Sequence, residues 1–134
     1  MIQRQDYLMR MIQSFMNALN KLINGLNERT AEETSEELES IYVTYFDKSR
    51  TFILDNTPEE MLAWLQQDKD AVKKAEMLAQ LLEQDALLEQ DIQTKRNLLE
   101  KVKTLLLYQE RESGTVSLVQ RNQLAKIEQQ LAEL

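Results

Sequence analysis

Four carboxylates, Glu83, Asp85, Glu89 and Asp91, fall within nine residues. Clustered acidic oxygens are the donor set that a hard divalent cation takes. Helical carboxylate metal sites, however, combine glutamates with histidine at i, i+3, and this chain has no histidine. Without histidine or cysteine there is no imidazole base, no thiol nucleophile and no zinc site built on either residue. A seryl or threonyl nucleophile would need lysine or a carboxylate as its base, and no Ser-x-x-Lys occurs. Gly25 and Gly114 are the only glycines, so no glycine loop can cradle a phosphate. The acidic row therefore reads as a solvated face. No catalytic, cofactor-binding or metal-ligating residue is assigned, and a carboxylate-only metal enzyme is the weakest alternative.

A second candidate chemistry is phosphate binding. The net charge is −7, which repels a polyanion at long range. The charge is uneven: residues 92–134 carry seven basic residues, Lys95, Arg96, Lys101, Lys103, Arg111, Arg121 and Lys126, against five acidic ones. This mildly basic end, with a turn at Ser113-Gly114 between two predicted helices, supports a nucleic-acid-associated role as an alternative only. Arg121 and Lys126 alone are thin for a recognition helix.

Helices must position all of these residues. Two glycines and one proline in 134 residues cannot punctuate a multi-stranded sheet. Leu8, Ile12, Phe15, Leu19, Leu22 and Leu26 step by four and three, the seam of a long amphipathic helix. Met11, Met16 and Ile23 widen it. Beside the stripe runs a row of uncharged amides, Gln13, Asn17, Asn20, Asn24 and Asn27. Amides can hydrogen-bond to a partner without the desolvation cost of a full charge.

Thr30 with Glu33, or Thr34 with Glu37, forms a capping box that opens a second helix, extending to Asp55-Asn56. Thr57-Pro58-Glu59-Glu60 opens a third, with threonine at the cap and proline at the first helical position, running to about Gln67. It carries Trp64, which is expected to be buried, as is Phe15. From Asp70 to Arg111 the periodicity is almost unbroken; its slip at Glu89-Gln90-Asp91-Ile92 and the ordinary length of helices divide it into two. Ser113-Gly114 supplies a left-handed stop, and Ser117 with Gln120 opens the last helix, with Leu124, Ile127, Leu131 and Leu134 on one side. The expectation is a single all-α domain over 1–134, with five to six antiparallel helices.

The opening Met1-Ile2-Gln3-Arg4-Gln5-Asp6-Tyr7-Leu8-Met9-Arg10-Met11-Ile12 and the closing Ser113-Gly114-Thr115-Val116-Ser117-Leu118 with Arg121 resemble the two ends of a family of small helical proteins from Gram-positive bacteria. The resemblance implies a long N-terminal helix packed on tetratricopeptide-like helical hairpins; it supplies a fold and no mechanism.

The function expected is a non-enzymatic helical protein-interaction module. Four of the six methionines, Met1, Met9, Met11 and Met16, lie in the first sixteen residues and suit an adaptable apolar surface. The candidate interface comprises Tyr7, Met9, Met16, Asn17, Asn20 and Asn24. The partner is a protein or a second copy, giving a homodimer through the N-terminal helices. No cofactor and no membrane is expected, since the longest apolar runs, such as Leu105-Leu106-Leu107-Tyr108, fall far short of about 20 residues. The absence of cysteine and of a targeting segment fits the cytoplasm.

Overall fold

The structure, a computed structural model, describes residues 2–134, with side chains from Arg4 onward. Met1 of the methionine cluster, and the side chains of Ile2 and Gln3, lie outside the described residues. Helix accounts for 83% of the chain, and the described residues contain no strand. Among them no helix is long and apolar enough to cross a membrane. Contacts divide the chain into two compact units, Met1–Ile53 and Leu54–Leu134.

The first unit is built on α1 (Ile2–Asn24) and α2 (Ala31–Phe46). The stripe predicted for α1 is the buried one at its centre: Phe15, Leu19 and Leu22 are in the core with Leu38, Ile41, Tyr42 and Phe46 of α2. The Phe15 ring stands edge-on to Tyr45 and Phe46, with centroids 5.4 and 6.1 Å away, a geometry favoured by the ring quadrupoles. Leu8 and Ile12, nearer the start, are half-buried.

A single 3₁₀ turn, Leu26–Glu28, leads out of α1. The corner is held by Arg29. Its guanidinium donates to the carbonyls of Leu22 and Lys21, each at 3.2 Å, and Nε lies 3.3 Å from the Glu37 carboxylate. Carbonyls in the last turn of a helix run short of amide donors; the guanidinium supplies one to Leu22, adds a second to Lys21, which also accepts from the Gly25 amide at 3.1 Å, and meets the negative end of the helix dipole. Gly25 makes room: a Cβ at this position would lie 2.6 Å from the guanidinium. Of the two capping boxes open from sequence, Thr30 with Glu33 is the one formed. Thr30 accepts from the Glu33 amide at 3.1 Å and Glu33 accepts from the Thr30 amide at 2.9 Å. Glu37 goes to Arg29 instead.

The segment expected as one helix to Asp55 is two helices. Asp47 adopts the left-handed conformation, φ 57°, and ends α2; aspartate tolerates this region better than most residues. Ser49 Oγ then accepts from the Phe52 amide at 3.1 Å, and the Glu39 carboxylate accepts from the Arg50 amide at 3.1 Å. These bonds start α3 (Arg50–Asp55), so the described chain has seven α-helices rather than five to six.

The second unit holds α4 (Pro58–Leu65), α5 (Ala71–Leu88), α6 (Ile92–Ser113) and α7 (Leu118–Ala132). Helix α6 packs against α4, α5 and α7. Its buried row, Leu98, Leu99, Val102, Leu105 and Leu106, shares a core with Leu78, Leu81 and Leu82 of α5, Met61 and Leu65 of α4, and Leu124 and Ile127 of α7. The Thr57 capping box forms in both directions. Trp64 is half-buried rather than buried: α4 turns Met61 and Leu65 inward, and Trp64 lies one position off that i, i+4 row. Residues 70–111 do form two helices. Asp91 caps α6 by accepting from the Thr94 amide at 2.9 Å, and Glu89 accepts from the amides of Gln90 and Asp91. Gly114, φ 69°, provides the left-handed stop.

Two ionisable side chains, Asp85 and Lys101, are buried in this second unit. Lys101 is 2% exposed, and its ammonium donates to Asn97 Oδ1. Asn97 Nδ2 in turn donates to the Leu54 carbonyl at 3.0 Å. Burial holds the Lys101 pKa below the ordinary 10.5, because a low-dielectric site disfavours the charged form.

Two predictions follow from these contacts. Arg29→Ala removes the corner bonds and lowers stability by about 1–2 kcal/mol, read from denaturant midpoints; an unchanged midpoint would show that the corner is held by other contacts. For Lys101, the unfolded chain binds the proton more tightly than the folded one. Stability therefore rises with pH from the lowered folded value up to the ordinary 10.5 and is level below that window. In urea titrations Lys101→Met is as stable as the wild type or more so at pH 7, and its advantage shrinks as pH climbs towards 10.5. A gap independent of pH contradicts this account.

Candidate interaction surface

Helix α1 advances about 100° per residue, which fixes where the six candidate interface residues stand. Met9, Met16, Asn17, Asn20 and Asn24 fall within one outer band, while Tyr7 projects about 160° round the helix from Met9. Helix geometry thus brings five of them together and sets Tyr7 apart. Met9 is 65% and Tyr7 62% exposed. Asn17, Asn20 and Asn24 are exposed, and Met16 is half-buried. Gln13, in the same band, donates from Nε2 to Asn17 Oδ1 at 3.0 Å. Ile23, also in the band, is 36% exposed. From Met9 to Asn24 the only charge on this band is Arg10, at its edge on the row of Asn17 and Asn24, and Lys21 lies just beyond that edge.

Within the same unit an open groove of about 550 Å³ runs between α1 and α2, lined among others by Ala18, Lys21, Arg29, Glu36, Ser40 and Tyr45. Its charges are mixed in sign. Arg29 is already engaged by Glu37 and two carbonyls, and the Tyr45 hydroxyl is hydrogen-bonded to Ser14. Glu33, at the rim, has its carboxyl held below the usual range by the bonds of the Thr30 cap; it serves the helix start.

The carboxylate row is dispersed into separate structural tasks. Glu83 accepts from Gln123 Nε2 at 2.8 Å and lies 3.9 Å from the Lys126 ammonium. Asp85 is buried. Glu89 and Asp91 bind the backbone of the α5–α6 link, and the bonds from Thr94 hold the Asp91 carboxyl below its ordinary range. Among the described residues no group of three or more acidic side chains is placed to hold a metal ion.

The basic row is likewise divided. Lys101 is buried, Arg121 is paired with Glu110, and Lys126 faces Glu83. The Arg111 guanidinium lies 5.8 Å from the centre of the Tyr108 ring.

Sequence reasoning passed over one exposed apolar group. Leu118 and Val119 are each 76% exposed, and Val116 is 70% exposed. The signal was their position outside the Leu124, Ile127, Leu131 row, which alone gives α7 its inner side. With the geometry of both units in place, comparison with known proteins adds no relative: no family model, no curated protein and no solved structure matches this chain.

Proposed function

We propose that this chain is a non-enzymatic helical protein-interaction module that associates through the outer band of α1. The observation that carries this reading is the outer band of α1 from Met9 to Asn24, bordered by a single charge, Arg10, in which methionine and isoleucine stay exposed beside amides. In a protein that is 29% charged, a solvated helix face normally carries lysine and glutamate. Exposed apolar side chains on such a face mark a contact, and amides at its border can pair with a partner without the desolvation cost of charges.

The same reading takes α5 with α6, and α6 with α7, as antiparallel hairpins of tetratricopeptide type. It is supported by the short links, 89–91 and 114–117, and by the small buried residues Ala75, Ala79 and Ala86 on α5. It also places the chain with the Gram-positive family that its two ends resemble, working in the cytoplasm. Binding of nucleic acid is disfavoured by the net charge of −7 and by the internal engagement of Lys101, Arg121 and Lys126.

Light scattering over micromolar concentrations tests the association. The wild type shows a mass rising above 15.8 kDa with concentration, whereas Met9→Lys/Ile23→Lys stays at the monomer mass. Because both residues are exposed, the double variant keeps its melting midpoint to within about 0.5 kcal/mol per site. A wild type that remains at 15.8 kDa at every concentration removes self-association. A variant that assembles like the wild type removes this surface.

A further inference from the structure

Resting on the association through α1 just proposed, the helix also specifies its partner and the orientation. Two rows of alternating four-and-three spacing run along α1. The first, Leu8, Ile12, Phe15, Leu19 and Leu22, turns into its own unit. The second, Met9, Gln13, Met16, Asn20 and Ile23, turns outward, with Gln13 and Asn20 exposed.

In heptad terms Met9, Met16 and Ile23 take one core position, d, and Gln13 and Asn20 take the other, a. The outer seam is therefore layered, apolar and amide in strict alternation. A matching surface must set apolar against apolar and amide against amide. In a parallel, in-register pair of identical helices, a faces a and d faces d, so every layer matches. An antiparallel pair faces a with d and sets an amide against an apolar side chain in each layer. An amide both donates and accepts, so it can pair with its own copy across a two-fold axis; a carboxylate or an ammonium would meet its own charge. The adjoining e positions are Arg10, Asn17 and Asn24, so only one charge borders the seam.

We propose that the partner is a second copy of this chain, α1 against α1, parallel and in register, with Asn20 meeting Asn20. Asp6 occupies the next a position towards the start. In this pair the two Asp6 carboxylates face each other, so the seam closes from Met9 onward. Two heptads span about 21 Å of helix and bury well under the ~800 Å² per partner of a standard interface. The pair is correspondingly weak, with a dissociation constant on the order of 10 µM or above.

The chain has no cysteine, so single thiols report the pairing in the full chain. Under mild oxidation at about 100 µM protein, Asn20→Cys forms a disulfide-linked dimer at least tenfold faster than Lys21→Cys, whose side chain lies off the seam. In sedimentation equilibrium, Asp6→Asn tightens the dimer at least threefold by extending the amide layers. A wild type that dimerises while Asn20→Cys links no faster than Lys21→Cys, or while Asp6→Asn brings no gain, overturns the parallel seam and leaves the interaction surface standing. A wild type that does not dimerise removes the self-association proposed above as well.

Discussion

Helix α6 is covered by α4, α5 and α7, and the second unit depends on that enclosure. Each of its buried leucines contributes about 1.5–3 kcal/mol by leaving water, so the row from Leu98 to Leu106 is the main apolar contribution to this core. Enclosure on three sides also constrains every polar group on the helix. Lys101 reaches Asn97, and Asn97 reaches the Leu54 carbonyl, so one buried charge is relayed to the end of α3. Gln109 is also buried; its Oε1 accepts from Gln120 on α7 at 3.2 Å, while its Nε2 finds no acceptor. An unsatisfied buried donor costs about 1–3 kcal/mol. The core thus gives back part of what its leucines contribute.

The elements of the fold were largely legible because their signals are local. Threonine followed three residues later by glutamate marks a helix start by a bond between those same two residues, and both boxes formed at Thr30 and Thr57. Gly114 marks a stop because its own backbone takes a positive φ. The break at Asp47 was hidden for the opposite reason. The apolar phase from Leu38 through Tyr45 to Phe52 stays consistent across it, so periodicity shows no interruption. What breaks the helix there is a left-handed aspartate reinforced by Ser49 and by Glu39. The Glu39 bond spans eleven residues and leaves no trace in a short window.

Burial was less legible than helicity. Trp64 is the largest apolar side chain of α4, yet it loses the inner position to Met61 and Leu65, because a short helix can turn only one i, i+4 row inward. Lys101 shows the converse. Its type argues for the surface, but it sits among Leu98, Val102 and Leu105, and the ring of helices decides. Chemistry followed the same rule. Glu83, Asp85, Glu89 and Asp91 are neighbours in sequence, but the end of α5 at Leu88 falls between them, leaving Glu83 with Gln123 on α7 while Glu89 and Asp91 bind the backbone of the link. The outer band of α1 was readable because a single uninterrupted helix carries all of it.

The corner at Arg29 has a consequence for how this protein can change over time. Its guanidinium reads main-chain oxygens of α1, at Lys21 and Leu22, and a side chain only on α2. Main-chain oxygens are present whatever residue stands at the position. The grip on the end of α1 is therefore indifferent to the identity of the side chains along the outer band. Mutations that accumulate there leave the corner intact, so the surface can drift towards new specificities while the packing of α1 on α2 is inherited unchanged.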